Sequence, residues 1–181
     1  YIYCLEKTYE HSDYIAVNIS SPNTQDLRNL SREEFLSSLL RDIKNNQNRL
    51  SLIHGYKPIF IKISPDESLE NLNAICKSIK EISLDGIICS NTSIEHNDKN
   101  GSGGMSGKPL KEKAIKNLIK VREILGTDFT IIASGGVMSS QDYLDRIHDG
   151  ANFVQIYTGL IFEGPKLIVD ILNLSSASRN T

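Results

Sequence analysis

The 181 residues, 39% hydrophobic and 23% charged, hold enough material for one domain with a substantial apolar core. A formal net charge of −2, with lysines and acids interleaved rather than grouped, excludes the basic footprint of a nucleic-acid-binding surface. No apolar run approaches the roughly 20 residues that span a bilayer, and Cys4, Cys76 and Cys89 show neither disulfide nor metal-ligand spacing, so a soluble chain with free thiols and no metal is expected.

In chain order, Tyr14–Ile19 reads as a strand. Phe35, Leu36, Leu39, Leu40 and Ile43 then make a helical stripe, opened by the capping-box pattern Ser31-Arg32-Glu33-Glu34. Ile59–Ile63 is a second strand, and Leu69, Leu72, Ile75, Ile79 and Ile82 form the stripe of the next helix. After a third strand, Gly86–Cys89, the polar, glycine-rich stretch from Asn97 to Gly107 predicts a loop over a site. A helix through Ala114, Leu118, Val121 and Leu125 stops at Gly126, before the strand Thr130–Ala133. Ser140 to His148 is a further helix, ended by Gly150, and Phe153–Tyr157 is the fifth strand. The last helix, Leu167 to Leu172, follows Gly164-Pro165, where a proline costs no helical hydrogen bond.

Continuous apolar strands alternating with amphipathic helices argue a parallel α/β architecture, read as one domain over residues 1–181. An open dinucleotide-binding sheet would carry GxGxxG after its first strand, and a P-loop would carry GxxxxGK[ST]; neither occurs. Polar residues gather instead at the C-terminal end of every strand: Asn18 and Ser21, Lys62 and Ser64, Ser90 and Asn91, Ser134-Gly135-Gly136, and Tyr157-Thr158-Gly159. In a TIM-type (β/α)8 barrel those ends share the rim where active sites lie. Gly135-Gly136 and the helix after it, with Tyr157-Thr158-Gly159, suit a phosphate. Five strands against eight make the chain the last five βα units of such a barrel.

Several segments now carry a resemblance: Asn18-Ile19-Ser20-Ser21-Pro22-Asn23-Thr24, Ile61-Lys62-Ile63-Ser64-Pro65-Asp66, Asp85-Gly86-Ile87-Ile88-Cys89-Ser90-Asn91-Thr92, Gly103-Gly104-Met105-Ser106-Gly107-Lys108-Pro109-Leu110, and Ala133-Ser134-Gly135-Gly136-Val137 leading to Gln155-Ile156-Tyr157-Thr158-Gly159. In this order and spacing they resemble the quinone-linked dihydroorotate dehydrogenases, from about Tyr14 to Ile171.

The resemblance implies a flavin enzyme that oxidises dihydroorotate to orotate in pyrimidine synthesis, with FMN as cofactor and quinone as electron acceptor. Ser21 corresponds to the catalytic base, and a serine hydroxyl in that role needs a water or threonine relay. Lys62, on an apolar strand, would face the flavin's N1–O2 edge. Asn18 would touch flavin and substrate, while Asn23, Asn91 and Thr92 would hold the substrate. Ser90, where many relatives carry threonine, with Gly107, Gly136, Tyr157 and Thr158, would line the flavin, phosphate and ribityl site. The loop bearing Ser106-Gly107 is expected to close over it, with Gly103-Gly104 as hinge.

Relatives of this class begin with a membrane-associating helical segment and the first barrel strands, which this sequence does not show. Peripheral attachment to the cytoplasmic side of a bacterial inner membrane, or to the mitochondrial inner membrane, and the quinone site are expected of that segment. Two other readings stay open: an inactive remnant, and another FMN- or phosphate-binding barrel oxidoreductase. Asn18 and Ser21 within one loop argue against the second.

Overall fold

Five parallel strands lie side by side in chain order: β1 (Ile15–Asn18), β2 (Ile59–Ile63), β3 (Gly86–Cys89), β4 (Thr130–Ser134) and β5 (Phe153–Gln155). A computed structural model describes residues 1–21, 33–95 and 103–178. The helices are α1 (Ile2–Thr8), α2 (Glu33–His54), α3 (Leu69–Ile82), α4 (Lys111–Leu125), α5 (Ser140–His148), α6 (Thr158–Glu163) and α7 (Lys166–Ser178). A doubly wound sheet reverses its strand order; this one never does, as in a (β/α) barrel.

Strand register sorts side chains by parity. Val17 pairs with Ile61, Ile61 with Ile87 and Ile87 with Ile131, and all four are buried on one face. Against that face lie Leu36, Leu40 and Ile43 of α2, Leu72, Ile75 and Ile79 of α3, and Leu118, Val121 and Leu125 of α4. Each such side chain contributes about 1.5–3 kcal/mol when fully buried, so this layer carries most of the stability. Cys76 and Cys89 belong to it, and burial pushes both thiols up to about 12, which leaves them inert.

The opposite face holds Asn18, Lys62, Ile88, Ile132 and Phe153 in one paired row. Phe60, Ile88 and Ile132 form its separate small cluster. The row starts polar on β1 and β2 and ends apolar on β5, while Ser134 and Gln155, one step further along, are polar again. The polar rim therefore climbs across the sheet, the stagger that a tilted barrel demands. Curvature shows in one contact: Gln155 Nε2 donates to Tyr14 Oη at 3.1 Å, joining the two outer strands across the inner face. Flat strands at that separation would stand on the order of 19 Å apart, beyond the reach of both side chains. The Tyr14 ring also meets Phe60 edge-on at 5.8 Å.

The sequence reading holds for β2, β3, the spans of α3 and α5 and the end of α4 at Gly126, and differs elsewhere for local reasons. The fifth strand ends at Gln155, and Tyr157 caps the short helix α6, so Tyr157 and Thr158 open a helix rather than close a strand. The stripe beginning at Phe35 belongs to a 22-residue helix. Ser31 and Arg32 of its capping box lie outside the described residues. The last helix runs from Lys166 to Ser178, longer than its apolar stripe. Among the described residues no helix is long and apolar enough to cross a membrane.

Candidate functional site

At the C-terminal ends of the strands, side chains lace β1, β2 and β3 together. Ser20, 1% exposed, donates through Oγ to the Lys62 carbonyl at 3.0 Å. The Ser20 N–H donates to Asn18 Oδ1 at 3.2 Å, and the Thr92 N–H to Asn91 Oδ1 at 3.0 Å. Because backbone N–H groups can only donate, these two bonds fix which way both carboxamides face. Asn91 Nδ2 then donates to Asn18 Oδ1 and to the Ser20 carbonyl, each at 3.2 Å. Asn91 thus holds the Asn18 amide in place.

Beside this lattice opens a cleft of about 220 Å³. Lys62, Ser90, Asn91, Thr92, Gly107, Gly136, Tyr157 and Thr158 all line it, drawn from the ends of β2, β3, β4 and β5 and from the loop before α4. Asn18 lies just outside, on the exposed inner face of β1. Lys62 is half-buried, burial holds its ammonium below the usual range, and it makes no ion pair among the described residues. Ser90 Oγ is buried and meets no hydrogen-bond partner among the described residues. Among the described residues no aspartate or glutamate lines the cleft. A lone cation, an unpaired hydroxyl and no competing carboxylate suit an anionic or electron-rich ligand.

Glycines shape the far wall. Gly136 has φ +72°, and a Cβ there would stand 2.4 Å from the Lys111 Cα at the start of α4. A Cβ at Gly159 would stand 2.2 Å from the Val137 carbonyl oxygen. Only bare backbone allows these close approaches, and both glycines line the cleft. The expected contribution of the helix after Gly136 needs correction. The start of α5 does not line the cleft among the described residues; there Ser139 Oγ accepts from the Asp142 N–H at 3.1 Å, and Asp142 Oδ2 accepts from the Met138 N–H, just before the helix, at 2.9 Å. The cleft is instead bordered by the first turn of α6, the short extra helix that barrels often use for phosphate.

The loop before α4 is tied in at both ends. Ser93 and Met105 exchange backbone hydrogen bonds of 3.1 and 2.7 Å, and Thr158 Oγ1 donates to Ser106 Oγ at 3.0 Å. Behind it, Asp66 accepts from Ser93 Oγ and Lys113 Nζ, both at 2.5 Å, and from the Ile94 N–H at 2.9 Å. Burial pushes the Asp66 carboxyl up, but Lys113, Ser93 and Ile94 outweigh it and leave it below the usual range. Residues 96–102 of this loop lie outside the described residues, as does Asn23.

Ser21 follows Ser20 directly, partly exposed, and does not line the cleft. Ser20 and Gln155 were missed by motif reading although both belong to the site's framework; Gln155 lines the cleft. Strand register, which spacing does not give, puts Gln155 on the face of Asn18 and Lys62.

Comparison with known proteins agrees with this geometry. The family model described as dihydroorotate dehydrogenase matches residues 1–175. A Dichelobacter nodosus protein named dihydroorotate dehydrogenase (quinone) is 41% identical over 186 residues, covering 99% of this chain and 55% of its own length. The Neisseria meningitidis serogroup B protein of the same name is 41% identical over 179 residues, covering 95% and 53%. Among solved structures, Eimeria tenella DHODH in complex with ferulenol superposes with a TM-score of 0.87 at 29% identity, covering 94% of this chain and 50% of that one. The chain therefore spans about half the length of the curated relatives it matches.

Proposed function

This chain belongs to the dihydroorotate dehydrogenase family, and we propose that its strand-end cleft takes part in binding FMN for the oxidation of dihydroorotate to orotate, a step of pyrimidine synthesis. The observation that carries the reading is Lys62: a half-buried ammonium without an ion pair among the described residues, in a cleft free of carboxylates. An isolated cation in such a place is costly unless a ligand compensates it.

Bound FMN would accept the hydride that leaves C6 of the substrate. The chain's own residues orient, bind and move the proton. Backbone N–H groups near Gly107 and Gly136 and in the first turn of α6, with Thr158, receive the phosphate, and Tyr157 flanks the ribityl chain. The Ser90 hydroxyl and the Lys62 ammonium, which both line the cleft, would hold the flavin ring, with Lys62 supplying the positive charge that stabilises its reduced form. Asn18, locked by Asn91 and Ser20, keeps its Nδ2 as a donor to flavin or substrate; Asn91, Thr92 and Asn23 hold the substrate. Ser21 takes the C5 proton and passes it on through a relay. Quinone is the proposed acceptor, as the relatives' names support. The enzyme would then sit peripherally on the cytoplasmic side of a bacterial inner membrane.

The test is the visible spectrum of the purified protein loaded with FMN, before and after anaerobic dihydroorotate. Retained flavin that bleaches supports the reading. Flavin that dithionite bleaches but dihydroorotate does not would remove the substrate; protein that retains no flavin would remove the cofactor as well.

A further inference from the structure

Behind the glycine wall of the cleft lies a charge that the proposed chemistry does not use. Arg146, on α5, is 0% exposed and the largest fully buried side chain described. A guanidinium offers five N–H donors and accepts nothing, so burial leaves it dependent on carbonyls and carboxylates. Its Nη2 donates to the Gly135 carbonyl at 3.0 Å and to the Lys111 carbonyl at 3.3 Å. Nε and Nη1 meet no acceptor among the described residues. Burial weighs against the charged form, and the nearby Asp142, Asp149 and Asp145 carboxylates only partly offset it. An apolar residue of similar volume would fill this space without that cost.

The location explains the arginine. Gly135 lines the cleft, and Lys111 is the residue against which Gly136 is pressed. One turn before Arg146, Asp142 accepts from the Met138 N–H at 2.9 Å and pairs with the Lys111 ammonium. Arg146 and Asp142 thus grip the glycine loop at Gly135 and Met138 and fasten it to the start of α4. The Lys111 charge is neutralised in this arrangement, whereas that of Arg146 is not matched by a direct ion pair.

We propose that Arg146 is a positioning residue for the cofactor's phosphate, holding Gly135 and Gly136 so that their backbone faces the anion and adding positive field from one residue behind. The inference rests on the cleft being the FMN site. A phosphate in the cleft supplies across the loop the negative charge that the protein's interior withholds from this cation.

FMN and riboflavin differ only in the phosphate, so their affinities separate this role from a structural one. Arg146→Met is expected to weaken FMN binding about 10- to 100-fold, the range for a lost charged hydrogen bond, while riboflavin binding stays unchanged. Arg146→Lys keeps the charge with fewer donors, and its loss of FMN affinity is smaller and equally selective. Fluorescence titration of wild type and both variants reads the two affinities, with ligand-free melting temperatures alongside. Equal losses for both flavins, or no loss for FMN, overturn the role of Arg146. Should Arg146→Met fail to fold, the FMN-to-riboflavin ratio of Arg146→Lys decides in the same way. Wild type that binds neither flavin overturns the site reading itself.

Discussion

At the N-terminal end of the sheet, Asp85 accepts from the Gln47 amide at 2.8 Å, from the Ile59 N–H at 2.8 Å and from the Tyr56 hydroxyl. Arg122 there donates from Nε to the Gly150 carbonyl at 2.9 Å, from Nη1 to the Phe129 carbonyl at 3.0 Å and from Nη2 to Asn152 Oδ1 at 2.8 Å. At the C-terminal end, among the described residues, Lys62 has no ion pair, Ser90 Oγ has no hydrogen bond, and Arg146 has two nitrogens without acceptors. The contrast teaches where each job is done. Polar groups before the strands complete one another and hold the sheet together; after them, beside the Asn18–Ser20–Asn91 lattice, Lys62, Ser90 and Arg146 stay incomplete among the described residues, which costs stability and leaves Lys62 and Ser90 available to a ligand.

Substitutions at the two ends should therefore separate activity from stability. The largest effect is expected for Lys62→Met: dihydroorotate oxidation falls about 10²- to 10³-fold, the loss typical of one electrostatic stabiliser, while the melting temperature holds or rises. A drop in melting temperature matching the loss of activity would break the comparison. Asp85→Ala is the converse case. It strands the Gln47, Ile59 and Tyr56 donors, so urea unfolding should show a loss of about 3 kcal/mol, with flavin affinity unchanged in the folded fraction. A selective loss of flavin affinity there would show that the N-terminal rim is not merely structural.

Ser90→Ala sharpens the contrast at a smaller scale. Removing a buried hydroxyl that bonds to nothing leaves ligand-free stability unchanged or slightly higher, yet weakens FMN about 3- to 10-fold by titration. The smallest effect concerns Asp66, which buttresses the loop over the cleft. Its carboxyl lies below the usual range in the folded state, so the stability it adds is present above the unfolded value, near 3.9, and is lost as pH falls through the folded one. Urea unfolding between pH 6 and pH 2 should lose part of its acid sensitivity in Asp66→Asn. An unaltered pH profile would mean that the pair with Lys113 adds nothing.

Much of this was legible in the residues themselves. Continuous apolar runs and helical periods set out the βα alternation, because strands covered on both faces are apolar throughout while helices bury every third and fourth residue. The absence of nucleotide-loop glycines and the polar strand ends favoured a barrel rim, and the ordered segments resembled the family that the comparisons then showed. Eight of the expected residues line one cleft.

Tertiary structure decided what spacing cannot express. Periodicity says that Asn18 and Lys62 share a parity; only the register makes them neighbours, and only the sheet's curvature brings Tyr14 to Gln155. Gly135-Gly136 reads as a phosphate loop followed by a helix. Yet the first turn of α6, and not that of α5, lines the cleft among the described residues, while at the start of α5 Ser139 and Asp142 take up the N–H groups of Asp142 and Met138. No motif or spacing singles out Arg146, and packing buried it behind the loop. Sequence period dictates which side chains go inward, whereas the partner each buried polar group finds, or lacks, depends on segments brought together from across the chain.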